Sequence, residues 1–230
     1  MKRVAVLQSN YIPWKGYFDI IHDVDLFIFH DDLQYTKDDW RNRNKIKTEN
    51  GLMWLSVPVG RDEHRLICDV KISDFSWQKK HYENIRRCYA KAPCFSYAEQ
   101  LLRNIYLEKR WDNLSVMNRN IIERVSELLG IQTQFADSRD FRTYGAKQEK
   151  LLSLLIEAKA DLYISGPAAK NYITESEFEK ANIKLIYKNY ADYPEYKQCY
   201  GVFEHKVSVL DLLMNEGEKS SGYIWGFRGQ

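Results

Sequence analysis

Val4-Ala5-Val6-Leu7-Gln8-Ser9-Asn10-Tyr11-Ile12-Pro13-Trp14-Lys15-Gly16-Tyr17-Phe18 decides the fold class. Four apolar residues stopped at once by Gln-Ser-Asn read as a short buried strand. Pro13 then marks a loop, and residues 16–22 can begin a helix. The order repeats, because residues 25–30 form a second apolar run that ends at the pair Asp31-Asp32. Strand, polar loop and helix in succession point to an α/β protein.

Outward from this stretch, residues 53–59 read as a third strand, with Pro58 placing it toward an edge. Residues 67–72 alternate apolar and polar and are expected to form a fourth. Helices are expected over 76–92, from Ser96 to about 109, and over 113–129. The last carries Leu114, Met117, Ile121, Val125 and Leu128 at helical spacing before Gly130. Alternation then returns: strand 131–136, helix 147–158, strand 161–165 ending at Gly166-Pro167, short helix 168–173, strand 183–187, and helix 207–215 stopped by Gly217. The expectation is a mostly parallel sheet covered by helices on both faces, a three-layer α/β fold with a helical middle region. No repeat or linker interrupts it, so one domain over 1–230 is expected, with a helical subdomain at about 76–130. Ligands of such sheets bind beyond the carboxyl ends of the strands. That rule gathers Gln8-Ser9-Asn10, Asp31-Asp32 and Ser165-Gly166 on one rim.

Composition narrows the function. Among 230 residues, 34 Lys and Arg face 32 Asp and Glu, a formal net charge of +2. No global attraction to nucleic acid follows, and a phosphate site must be a local cluster. The 16 Tyr, 10 Phe and 6 Trp supply stacking surfaces or a large aromatic core. The apolar run at 4–7 is too short for a signal peptide and no stretch is long enough to span a membrane. Cys68, Cys88, Cys94 and Cys199 lack metal-ligand spacing and read as reduced thiols. A cytoplasmic protein with a small-molecule substrate is expected, with no metal ligand set recognised.

Arg41, Arg43, Lys45 and Lys47 recur at every second position. In an extended strand they would share one face, which suits phosphate but equally suits a solvated edge. Asp31 and Asp32 could bind Mg²⁺ or supply a general base, and carboxylates in such places also bond loop amides. Asp31, Asp32 and Tyr35 are the candidate catalytic residues. Gln8, Asn10, Tyr11, Trp14, Tyr17, Gln34, Trp40, Arg41, Asn42 and Arg43 are candidate substrate contacts. Ser165, Gly166 and Lys170 join them, because a helix starting after Gly166 would present amides to an anion. His30 reads as structural, and the other histidines show no spacing with Cys or carboxylates that implies a site. Neither GxxxxGK[ST] nor GxGxxG occurs, so nucleotide or Mg²⁺ stay as cofactor candidates without a motif.

Residues 7–18, Asp31-Asp32-Leu33-Gln34-Tyr35, Trp40-Arg41-Asn42-Arg43, Tyr163-Ile164-Ser165-Gly166 and Val207-Ser208-Val209-Leu210-Asp211-Leu212-Leu213 together resemble the WbqC-like protein family. One departure is Ser9-Asn10, where Pro is expected after the Gln. The resemblance implies a bacterial cytoplasmic protein of O-antigen and lipopolysaccharide biosynthesis. It further implies transfer of an acyl or aminoacyl group to the amine of a nucleotide-linked amino sugar. Residues 11–17 also resemble the HIGH-type loop of nucleotidyltransferase-like folds. The places of its paired histidines are taken by Trp14 or Lys15 and by Tyr17. An ATP-dependent ligase and a non-catalytic binding protein of a polysaccharide assembly complex are the alternative readings.

Overall fold

A computed structural model of the chain describes residues 1–228. Five parallel strands form the main sheet in the order β5-β2-β1-β6-β7: β1 (Arg3–Leu7), β2 (Leu26–Phe29), β5 (Gln134–Asp137), β6 (Leu162–Ser165) and β7 (Lys184–Tyr187). β1 is central and pairs Val4 with Leu26 on one side and with Tyr163 on the other. Strand order therefore reverses between β1 and β6, and a crevice opens there at the carboxyl ends.

Among the described residues seven α-helices flank the sheet: α1 (Lys15–His22), α2 (Ser76–Tyr89), α3 (Phe95–Arg103), α4 (Leu114–Leu128), α5 (Gln148–Glu157), α6 (Glu175–Lys180) and α7 (Val209–Glu216). Successive strand residues face opposite sides. Ala5, Phe27 and Phe29 pack with α1 residues Tyr17, Phe18 and Ile21 and with α4 residues Met117 and Ile121. Val4, Val6, Leu26 and Ile28 pack with Leu154 and Leu155 of α5 and Phe178 of α6. The result is the expected three-layer α/β fold, with the inner strands β2, β1 and β6 buried on both faces.

A two-stranded antiparallel hairpin, β3 (Arg43–Thr48) and β4 (Gly51–Ser56), stands apart from this sheet. The third expected strand is β4, ending before Pro58. Residues 67–72 are not a strand; Ile67–Asp69 form a 3₁₀ turn. Their alternation arises because Ile67, Val70 and Ile72 plug the core while Asp69 and Lys71 face out. The helix expected from Ser96 begins at Phe95, with Cys94 before it, and passes into a π-helical turn at Asn104–Glu108. Asn113 caps α4, its side chain accepting from the Val116 amide at 3.0 Å. α6 was not legible in the pattern, since its six residues bury only Phe178.

Candidate functional site

Parallel pairing sets the ends of β1, β2 and β6 side by side, so Gln8, Asp31-Asp32 and Ser165 share one edge of the sheet. Arg41 reaches this edge from the loop before β3. Its guanidinium donates to Gln8 Oε1 and to Asn10 Oδ1, and its Nη2 lies 3.6 Å from Asp39. The Arg41 backbone is fixed as well: its carbonyl accepts from Asn118 of α4 at 2.8 Å. Tyr11 N–H bonds the Trp40 carbonyl at 2.9 Å, which joins the two loops directly.

The two side chains that Arg41 holds line different clefts, Asn10 the first and Gln8 the second. One, of about 250 Å³, is lined by Asn10, Pro13, Trp14, Trp40, Asn44 and Lys206, and forms an aromatic slot. Trp14 is held edge-on by Tyr190 at 5.0 Å, and its indole covers Gly16. A Cβ on Gly16 would stand 2.3 Å from that ring, so any larger residue there must displace the indole. Trp40, 42% exposed, packs on Trp54 of β4 at 5.6 Å.

The other cleft, of about 490 Å³, lies at the strand-order reversal. Val6 and Leu7 of β1, Gln8 just after it, His30 and Leu33 after β2, Tyr163 of β6 and the first turn of α5 line it. Its apolar floor with a few converging polar groups has the make-up of a ligand site. Beside it, Lys150 of α5 forms an ion pair with Asp32 at 2.5 Å, and Ser138 donates to the other oxygen. Burial works against ionisation of Asp32, but these two bonds outweigh it and hold its carboxyl below the ordinary value. Burial lowers the His30 pKa, with the nearby Asp32 charge opposing, so the imidazole is neutral at pH 7.

The remaining expected residues divide by role. Asp31 is buried, one oxygen accepting from the Ser9 amide at 2.7 Å and the other from the Ser115 hydroxyl. Tyr11 is a core residue bonded to His81 at 2.8 Å and Tyr106 at 2.6 Å. Tyr17 donates to the Gln8 carbonyl at 2.9 Å and so supports the loop from below. Tyr35 is buried beneath the Arg65 guanidinium, and Gln34 bonds the Glu63 carbonyl at the surface. Asn42 donates to the Val57 carbonyl at 3.0 Å.

Three of the four cations of the row share one face of β3, but they are spent on neighbouring side chains. Only Arg43, Lys45 and Lys47 lie in β3; Arg43 and Lys45 cover Trp54, and Lys47 is buried against Gln198. Arg43 also pairs with Asp38 at 2.9 Å. The helix after Gly166 is a five-residue 3₁₀ turn, Pro167–Asn171, in place of an α-helix. Ser165 bonds the Tyr163 hydroxyl at 3.2 Å, and Lys170 lies over the Tyr187 ring. Sequence reasoning passed over Asn44 and Lys206 in the slot and Lys147, Gln148 and Lys150 beside the crevice. The spacing of Lys147 and Lys150 at the start of a helix is the one signal that could have found them.

Residues 8–223 match the WbqC-like protein family. This chain belongs to that family. In keeping with this, the WbqC-like chain is 44% identical over 227 residues to the uncharacterized protein Rv1507c of Mycobacterium tuberculosis (strain ATCC 25618 / H37Rv). The alignment covers 97% of this chain and 98% of that relative. The matched span takes in Arg41, the whole slot, and the crevice lining except Val6 and Leu7. Among the described residues no helix is long and apolar enough to cross a membrane.

Proposed function

We propose that this protein transfers an acyl or aminoacyl group to the amine of a nucleotide-linked amino sugar, in the biosynthesis of O-antigen and related surface polysaccharides. The family membership supports the pathway. The observation that supports the chemistry is the Arg41 guanidinium, oriented by Gln8 and Asn10, which line the larger crevice and the aromatic slot in turn. A planar fork held in this way suits the oxygens of a diphosphate. Base or sugar stacks between Trp14 and Trp40, with Lys206 at the rim, and the amine points toward Asp32.

In the reaction the neutral amine attacks the acyl carbon. A C–N bond forms, the bond to the donor's leaving group breaks, and that group departs with the electron pair. The surplus proton passes to Asp32, which is half-buried beside the crevice, whereas Asp31 is fully buried. Incubation with a panel of nucleotide-linked amino sugars and activated acyl donors, read by mass spectrometry, tests the proposal. A gain of one acyl mass on a sugar, lost in Asp32→Asn by about 10²-fold or more, is expected. No mass gain across the panel sinks it.

The crevice favours a second reading, ATP-dependent ligation, because open α/β sheets bind nucleotides where strand order reverses. Pyrophosphate release with ATP and Mg²⁺ would distinguish it.

A further inference from the structure

The slot between Trp14 and Trp40 offers a ligand hydrogen-bond donors and no free side-chain acceptor. Two of its lining residues are asparagines, and the amide oxygen of each is already engaged. Asn44 is spent at both ends: Oδ1 accepts from the Lys45 amide at 2.8 Å, and Nδ2 donates to the Tyr11 and Ile12 carbonyls at 3.2 and 2.9 Å. Asn10 Oδ1 accepts from the Arg41 guanidinium, which can only donate, so the orientation of this amide is fixed and Nδ2 is the end left free. The Lys206 ammonium and the indole N–H groups of Trp14 and Trp40 likewise have no partner among the described residues. Lys206 is exposed, yet its backbone is held. Its amide donates to Glu204 at 2.7 Å, and the Ser208 and Val209 amides beyond it bond the Lys45 and Pro13 carbonyls.

Donors in a cleft are left unpaired by a ligand that brings none of its own acceptors, so this slot favours a ring rich in oxygen acceptors. An ammonium brings only donors, and here it would meet the Lys206 charge with no Asp or Glu lining the slot to offset it. Indole faces attract cations, but the charges of Lys206 and Arg41 oppose that attraction. Size decides how much of a ligand enters. At about 250 Å³ the slot is smaller than the roughly 300–1,000 Å³ of sites for drug-sized molecules, so it takes one ring and not a whole nucleotide sugar. A nucleobase is flat and stacks on indoles.

We propose that the slot receives the nucleobase end of the ligand, a flat ring presenting oxygen acceptors, and excludes the amine-bearing sugar, with Asn10 Nδ2 and Lys206 Nζ as the selecting donors. That orientation rests on the reading under Proposed function, and it leaves the amine outside the slot. The preference for an acceptor-bearing ring over an ammonium-bearing one stands without that reading.

Three probes test it on the full ¹⁵N-labelled chain: uridine 5′-monophosphate, D-glucosamine and D-glucuronate. The nucleotide is expected to shift the indole N–H signals of Trp14 and Trp40 and the side-chain amide of Asn10, and to bind at least tenfold tighter than glucosamine. Lys206→Met should weaken the nucleotide about tenfold, the worth of one hydrogen bond to a charged group, with an unchanged melting temperature. Lys206→Glu should reverse the order, so that glucosamine binds tighter than the nucleotide. Nucleotide shifts that miss Trp14, Trp40 and Asn10 overturn the assignment, and so does glucosamine binding the wild-type slot as tightly as the nucleotide. Tighter binding of glucuronate than of the nucleotide also overturns it, because the slot would then take an acidic sugar. None of these readouts needs turnover, so failure of the acyl-transfer assay leaves them standing, and acyl transfer with the amino sugar seated in the slot would sink this orientation alone.

Discussion

Arg41 is the side chain on which the site turns, and its contacts say what a conservative change would do. Lysine at 41 keeps the charge but cannot hold Gln8 Oε1 and Asn10 Oδ1 together. Arg41→Lys is expected to weaken nucleotide-sugar binding about 10–100-fold with a melting temperature close to wild type, as read by calorimetry and thermal unfolding. Asp31 differs, because its oxygens are spent on Ser9 and Ser115. Asp31→Asn places an amide N–H₂ against one of these donors and should lower stability by about 1–3 kcal/mol in urea titration; unchanged stability would show that the carboxylate is not structural. Lys15 offers a pH test. It is buried with its ammonium 3.3 Å from the Pro194 carbonyl and 4.7 Å from the Tyr193 ring, and burial lowers its pKa to about 8. Below that pH the charge is carried in the folded and unfolded states alike, and folding bears the full burial cost. As pH rises from about 8 to the ordinary 10.5 the folded state sheds its proton first, and stability rises. The stability difference between wild type and Lys15→Met should therefore change by up to about 3 kcal/mol between pH 7 and 10.5 in favour of wild type. A pH-independent difference would contradict it.

At the level of elements, the start of α1 joins packing to binding. Gly16→Ala gains about 1 kcal/mol of helix propensity but puts a methyl 2.3 Å from the Trp14 indole. Displacing that ring should cost about 1–3 kcal/mol in net stability and also close the slot to a stacked ligand. A crystal structure or tryptophan fluorescence of the variant would show whether the indole has moved. The sheet was legible because β1, β2 and β6 are apolar runs with abrupt polar stops. A parallel sheet buries such runs on both faces, and their polar stops fall on one edge. Residues 67–72 misled because a 3₁₀ turn with anchors at Ile67, Val70 and Ile72 also produces alternation. In the cation row, the period of two fits β3 but implies a shared face only in an extended chain, and sequence spacing could not show that Gln198 would cover Lys47 or that Trp54 would take Arg43 and Lys45. The slot was half visible: Asn10, Trp14 and Trp40 come from the motifs, whereas Lys206 arrives from a distant segment. That segment is docked by the Ser208 N–H to the Lys45 carbonyl and the Val209 N–H to the Pro13 carbonyl, each at 2.9 Å.

For the molecule as a whole, the C-terminal part of the described chain closes on its first helix. Asp19 of α1 and Asp23 at its C-cap receive Lys188 from the end of β7 and Arg228 from the last described turn, with Lys188 3.0 Å from Asp19 and Arg228 3.0 Å from Asp23. α2, α3 and α4 share one continuous core with α1 and α7. We propose on this basis that the helical region does not unfold by itself, and a single cooperative transition by circular dichroism and calorimetry is expected. Two separate transitions would assign residues 76–130 to an independent unit. The pair of bonds at Arg41 has a wider meaning for a protein with two clefts. One guanidinium bonds Gln8 in the wall of the crevice and Asn10 in the wall of the slot, so a ligand that displaces either side chain also disturbs the bond that holds the other. The two occupancies are then thermodynamically linked, and whatever factor the first ligand imposes on the second must be returned in equal measure when the order of addition is reversed.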